Sequence, residues 1–316
     1  MSSFRLVFLS RLLPSPVRIQ LAILGLSLLG GICSTQAQSP PFSGDLALLF
    51  IEEQVAFGPR VPESDAHRRT LDWMERKLDT GGGLYFRQQF VASRGEREPL
   101  ELTNVIARFG PLRDGGLLIG AHWDSRPWAD RDPDSTHHET PVPGANDGAS
   151  GTAVLLVLAD ILGRYPPPIP VTLVFFDGED LGRPGAEEDW LLGSKYFAAY
   201  WPVDRPQVAL VIDMVCRSDQ LYDREGMCQA TSPEVYGLLE SIEESLGYFL
   251  LSRQVRDPIT DDHLPLLQAG IPTGLLIGLE DPDWHTLNDL PGNCSAEALQ
   301  QMGSLLVEMV YGSYLH

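Results

Sequence analysis

His122 and Asp124 flank Trp123 just after a short apolar run, and a second histidine, His285, stands between Trp284 and Thr286 far along the chain. Carboxylates occupy unusual settings between them. Asp147 sits among small residues in Gly144-Ala145-Asn146-Asp147-Gly148-Ala149-Ser150-Gly151. Glu179 and Asp180 directly follow an apolar run, and Asp213 interrupts Leu210-Val211-Ile212-Asp213-Met214-Val215. Asp261-Asp262-His263 completes the set. Histidine supplies nitrogen and carboxylates supply oxygen, a donor set that suits zinc at a catalytic site without any thiolate.

Each residue also has an ordinary reading. In an extended segment, residues two apart share a side, so His122 can bind a metal while Asp124 orients it from behind. A lone His-x-Asp pair also arises by chance. Asp147 is placed to reach a metal, or equally to cap the helix that follows. Adjacent carboxylates leaving a strand diverge, so one of Glu179 and Asp180 can ligate metal while the other serves as acid or base. A solvated acidic loop is their plainer reading. Asp213 within an apolar run is costly unless paired, either with a metal or in a salt bridge. The joint signal comes from order: these groups recur at the ends of successive strands.

The elements that must position them read as follows. Helical spacing marks residues 44–57, 65–78, 149–162, 190–200, 233–246, 262–269 and 295–311. Alternating or continuous apolar runs mark strands at 84–91, 102–109, 117–121, 171–176, 208–215 and 273–277. Strands alternating with helices predict an α/β fold, a mostly parallel central sheet flanked by helices on both faces. In such sheets ligands bind beyond the carboxyl ends of the strands, where the His and acidic residues fall.

The 316 residues include 43% hydrophobic residues, enough for one sizeable core. The formal net charge of −20 argues against nucleic acid and against an anionic membrane surface as partners. Residues 1–37 carry Arg5, Arg11 and Arg18, a short apolar run at 21–32, and small residues around Ala37. This pattern predicts an export signal, with an uncleaved anchor as the alternative, and a secreted or periplasmic location. Residues 38–316 are then a single catalytic domain, expected as a monomer. Of the four cysteines, Cys33 lies in the leader, which leaves Cys216, Cys228 and Cys294. At most one disulfide can form among these three. Cys216 and Cys228 are the nearest pair, although spacing does not prove a bridge.

The segments 120–151 and Phe176-Asp177-Gly178-Glu179-Asp180, with the Gly193-Ser194 that follows, resemble the zinc aminopeptidase superfamily. Asp261-Asp262-His263-Leu264-Pro265 and Trp284-His285-Thr286 are similar, within it, to the animal-type glutaminyl cyclases. The similarity runs from about residue 50 to the C-terminus. It implies a zinc bound by Asp147, Asp180 and His285, with Glu179 as general acid/base. It further implies Asp213 and Asp261 in the polar network around the substrate amine, and Trp284 as a pocket wall. His122 and Asp213 are the positions that would hold a second zinc in a two-metal aminopeptidase. The implied activity is cyclisation of an N-terminal glutamine of a peptide to pyroglutamate, with one zinc. Aminopeptidase hydrolysis with two zinc ions and an inactive binding module on the same fold are the alternatives.

This chain departs from the cyclase pattern at three places. Position 180 is Asp where the animal cyclases carry Glu. The segment after Ile271-Pro272 reads Thr273-Gly274-Leu275-Leu276 and lacks their histidine. The loop after Asp180 contains Gly182-Arg183-Pro184-Gly185 in place of their tryptophan, which leaves Trp190 or Trp128 to fill that space.

Overall fold

The computed structural model describes residues 39–94, 97–183 and 185–315. The expected leader at residues 1–37 lies outside the described residues. No helix among those described is long and apolar enough to cross a membrane.

Two helices open the domain. Helix α1 (Gly44–Ala56) starts where the Ser43 side chain accepts the Leu46 N–H. Helix α2 (Asp65–Gly81) starts in the same way, with Ser64 accepting from His67 N–H, and ends at Gly82 with φ +73°. Strands β1 (Leu84–Arg94) and β2 (Arg97–Phe109) then pair antiparallel. There follow β3 (Leu117–His122), α3 (Ala149–Arg164), β4 (Val171–Phe176), α4 (Leu192–Ala199) and β5 (Val208–Asp213). The last part holds β6 (Tyr222–Arg224), α5 (Gly226–Thr231), α6 (Pro233–Leu246), β7 (Leu251–Val255), α7 (His263–Gln268), β8 (Thr273–Ile277) and α8 (Ala296–Tyr311).

The main sheet has six strands in the order β1-β2-β4-β3-β5-β8. Strands β4, β3, β5 and β8 run parallel, and β2 joins β4 antiparallel. Every residue of β3, β4, β5 and β8 is buried, as continuous apolar runs covered on both faces require. Gly151 of α3 lies against Ala121 on one face of the sheet. His122 and Phe176 are register partners on the other face, where Phe176 meets Phe197 of α4. Helices therefore cover both faces, as the alternation predicts.

Two expectations are corrected, and the cysteine pairing that spacing left open is answered. The strand predicted at 208–215 stops at Asp213 because Met214 takes φ +53° and turns the chain out of the sheet. The helix predicted from 190 begins at Leu192, since Trp190 forms a β-bridge with Asp180 and Leu191 takes φ +59°. The bonded cysteines are Cys216 and Cys294, which are 78 residues apart, not the nearest pair. Cys216 follows β5 and Cys294 precedes α8, and the Ser295 N–H donates to the Cys216 carbonyl at 2.7 Å. Cys228 is held away on α5 as a free, buried thiol. The short elements β6, α5 and β7 have too few residues to show a period in sequence.

Close backbone packing gives a paired test of this fold. A Cβ on Gly163 would lie 1.4 Å from the Gly81 carbonyl oxygen, whereas one on Gly237, inside α6, meets nothing within 4 Å. Gly163→Ala should cost about 1–3 kcal/mol through overpacking. Gly237→Ala should add about 0.5–1 kcal/mol through helix propensity and a less free unfolded chain. Urea midpoints of the two variants check both signs.

Candidate metal centre and substrate pocket

The carboxyl ends of β3, β4 and β5 deliver three of the groups. His122 closes β3 and is buried. Its Nδ1 lies 3.4 Å from Asp124, and its Nε2 lies 3.1 Å from Asp147 and 3.2 Å from Asp213. Asp124 also accepts the backbone N–H groups of Glu179 and Asp180 at 3.1 and 3.3 Å. That one buried carboxylate ties the β3 exit to the β4 exit. Sequence reasoning placed it behind His122, and the structure adds this second duty.

Asp147 does not cap α3: Gly148 occupies the cap position, and no side chain caps there. The carboxylate is thus free to face both histidines. Gly148 has φ +86°, and a Cβ there would meet the Asp124 carbonyl oxygen at 2.3 Å. Only glycine allows the loop so close to β3. The loop is fixed from behind by two residues that sequence reasoning missed. Buried Arg60 donates to the carbonyls of Trp123, Pro143, Gly144 and Asp147 at 2.6–3.2 Å. Asp289 accepts the N–H groups of Asn146 and Asp147 at 2.7 and 3.1 Å.

His285 reaches the same point from the loop after β8, with φ +59°. Its Nε2 lies 3.5 Å from an oxygen of Asp147 and 3.5 Å from Oδ2 of Asp180. Its Nδ1 lies 3.4 Å from Asp130. Asp130 in turn accepts two bonds from Arg126, at 2.8 and 2.6 Å, and Arg126 also grips Oδ1 of Asp180 at 2.6 Å. Arg126 and Asp130 thereby orient Asp180 and His285 together from behind. Neither was visible in sequence, because their role is set by distances across 54 residues and more.

Two trios of donor atoms result, Asp147–Asp180–His285 and His122–Asp147–Asp213, each within 4.8 Å of one another and sharing Asp147. All five residues are buried. Oδ2 of Asp180 is buried without a hydrogen-bond partner. An orphaned carboxylate oxygen is costly in such a place. It faces the two other members of its trio, so a divalent cation there satisfies all three. The nitrogen and oxygen donor set fits that group.

Asp147, Glu179, Asp180, Asp213, Asp261 and His285 line one cavity of about 350 Å³. Its remaining wall is aromatic and aliphatic, built by Trp190, Trp284, Ile259, Ile277 and Leu279 with Thr260. Of the two candidate tryptophans, Trp190 is the one that lines this cavity. Its ring lies flat on Gly182, where a Cβ would fall 2.0 Å from it, and on the Arg126 guanidinium at 5.0 Å. Trp128 packs instead beneath Arg183 at 3.8 Å.

Burial pushes the Glu179 carboxyl well above its ordinary value, and Asp180, Asp261 and Asp262 add to this by like charge. Burial does the same to Asp261, helped by Asp213 and Asp262. It raises Asp213, against the pull of His122. Asp180 is pushed up to about 7 by burial, with His285 pulling the other way. Asp147 is an exception: despite burial, its contact with His122 holds it below the usual range.

The described residues thus form a mostly parallel α/β domain with a carboxylate-rich candidate metal site at the sheet's carboxyl edge. Residues 104–310 match the family model described as Peptidase family M28, and the chain belongs to that family. It is 26% identical over 333 residues to the glutaminyl-peptide cyclotransferase of Bos taurus, across 94% of this chain and 88% of the bovine protein. A crystal structure of Tannerella forsythia glutaminyl cyclase superposes with a TM-score of 0.82 at 33% identity, covering 87% of this chain and 100% of that one. A leucine aminopeptidase precursor from Bacteroides thetaiotaomicron superposes with a TM-score of 0.83 at 31% identity, covering 87% and 99%. Relatives of both kinds mark this chain as an enzyme of the family, acting either as a glutaminyl cyclase or as an aminopeptidase.

The electrostatics predict how a cation and protons compete. Burial lifts Asp180 and Asp262 from the ordinary 3.8 to about 7 in the folded chain. Raised groups favour the fold below their unfolded values and lose that contribution as pH rises through the folded ones. The cation-free protein therefore loses this contribution between about pH 4 and pH 7. A divalent cation replaces the departing protons. Added zinc should raise the thermal midpoint more at about pH 8 than at about pH 5, by comparison with chelated protein. Equal shifts at the two pH values contradict the assignment.

Proposed function

We propose that this chain is a zinc-dependent glutaminyl-peptide cyclotransferase, with one zinc held by Asp147, Asp180 and His285. One observation carries the reading. The two cyclase-like segments, 261–265 and 284–286, both send side chains into the cavity that holds Glu179 and the Asp147–Asp180–His285 trio. Asp261 comes from one segment, and Trp284 with its neighbour His285 from another, to one cavity.

In the reaction, the α-amine of an N-terminal glutamine bonds to the side-chain amide carbon of the same residue. The bond from that carbon to the amide nitrogen breaks, and ammonia leaves. Zinc supplies a Lewis acid for the amide carbonyl. Nucleophile and electrophile belong to one residue, so the protein's task is mostly to fold the substrate and exclude water. Trp190 and Trp284 form walls suited to that. Glu179 takes a proton from the amine and hands it to the leaving nitrogen. Burial and neighbouring carboxylates shift the Glu179 carboxyl upward, which strengthens it as a proton acceptor. Asp261 and Asp213 accept hydrogen bonds from the amine and the departing ammonia. Arg126 keeps Oδ1 of Asp180 occupied, which leaves Oδ2 for the metal.

The aminopeptidase reading is favoured by one feature, the second trio of His122, Asp147 and Asp213. A second zinc there would serve peptide hydrolysis by an activated water. Residues 1–37 fit an export leader ahead of a single catalytic domain, and the Cys216–Cys294 disulfide supports an oxidising compartment.

Purified protein should contain one zinc per chain and release ammonia from Gln-peptides without freeing Leu from Leu-peptides. Two tightly held zinc ions with Leu release would make it an aminopeptidase. Glu179→Gln should retain the metal and lower kcat by about 10²–10⁴-fold. Loss of metal together with activity would show that Glu179 and Asp180 have exchanged roles.

A further inference from the structure

Behind the pocket wall lies a second buried group of ionisable side chains that the reaction above does not use: Glu225, Cys228 and His263. Glu225 caps α5, its Oε2 accepting the Cys228 N–H at 2.7 Å. The same oxygen faces Nε2 of His263 at 3.3 Å. Its Oε1 accepts the Ile259 N–H at 3.2 Å. Ile259 and His263 stand two residues to either side of Asp261. One carboxylate thus bonds the chain on one flank of a pocket residue and faces an imidazole on the other.

The grip is anchored to the main sheet. The Glu225 N–H donates to the Tyr236 hydroxyl at 2.8 Å, and that hydroxyl donates to the Leu275 carbonyl in β8 at 3.1 Å. Asp261 itself is buried beside Asp213 and Asp262, and burial with their like charge pushes its carboxyl up. Burial alone would push the Glu225 carboxyl up. His263 and the N–H groups of Cys228 and Met227 outweigh it and pull the carboxyl down to about 2. Burial and the nearby Glu225 push the Cys228 thiol the other way, which keeps it neutral.

We propose that Glu225, paired with His263, is a positioning residue that holds Asp261 in the substrate pocket. The proposal rests on Asp261 acting in that pocket, as argued above. The rival occupant of this cluster is a structural cation held by Glu225, Cys228 and His263.

The test uses the mature chain, with kcat and KM for a Gln-peptide, zinc content and thermal midpoint. The variants are Asp261→Asn, Glu225→Gln, His263→Gln, Cys228→Ala and the double variant Glu225→Gln/Asp261→Asn. Glu225→Gln and His263→Gln should each lower kcat/KM by about tenfold to a hundredfold, the cost of a small misplacement. Zinc content should not change. In the Asp261→Asn background, Glu225→Gln should cost nothing more, because both act through one group. A full further loss there means a general structural role and overturns the proposal. So does wild-type kcat/KM for Glu225→Gln when Asp261→Asn is impaired. If Asp261→Asn is itself as active as wild type, the reading of the pocket fails and this proposal falls with it. Loss of one zinc per chain in Cys228→Ala assigns the cluster to the cation instead. Where Glu225→Gln does not fold, His263→Gln carries the same comparisons.

Discussion

Carboxylates repel one another most strongly where water is absent, and this domain gathers Asp124, Asp147, Glu179, Asp180, Asp213, Asp261 and Asp262 in one buried region. Each costs several kcal/mol to desolvate as an ion. The opposing charges are arranged in two tiers. His122 and His285 face the carboxylates directly, while Arg60 and Arg126 hold the backbone and the outer oxygens from behind. Protons or a cation must supply the rest, as the upward shifts of Glu179, Asp180 and Asp261 show. A site so charged is unstable as an isolated constellation. It persists because a sheet buried on both faces fixes the strand ends from which the groups project.

Backbone geometry does what side chains cannot. Gly148 lets the Asp147 loop approach β3, and Gly182 lets Trp190 lie over the Asp180 loop. Met214 and His285 adopt left-handed conformations although neither is glycine. Such conformations are uncommon outside glycine and concentrate where a surrounding structure enforces them. Here they fall at the exit of β5 and at a member of the metal trio, which are the two places where the chain must turn sharply to bring a donor inward.

The fold and the site residues were legible to different degrees. The buried strands at 171–176 and 273–277 and the helix at 233–246 read directly, because long apolar runs and sustained periods leave little choice. The strand exits carrying His122, Glu179, Asp180 and Asp213 read as chemical because polar groups seldom follow such runs without a purpose. Arg60, Arg126, Asp130 and Asp289 did not read at all. Each is a common residue in an unremarkable stretch, and its importance is set by partners 54 to 155 residues distant, or more locally by shared loops. The cysteine pairing, which spacing left open, was hidden for the same reason. Cys216 and Cys228 are nearest in sequence, but α5 holds Cys228 at Glu225, while the chain ends around β5 and α8 bring Cys216 to Cys294.

Cyclase and aminopeptidase chemistry can be carried by the same donors, so the difference between them must lie in water and in the second trio. Hydrolysis needs a water held against the scissile carbon, and two cations activate it best. Cyclisation needs that water kept out, because the nucleophile is already part of the substrate. In this pocket the positions that would receive a second cation carry Asp213 beside Asp261, and Asp213 adds to burial in raising the hold of Asp261 on its proton. A proton held on Asp261 lowers the negative charge facing a second cation and leaves acceptor oxygens for an amine. On the proposed reading, Asp261 beside Asp213 favours the cyclase, and Trp190, laid across Gly182, supplies an apolar wall of the same pocket.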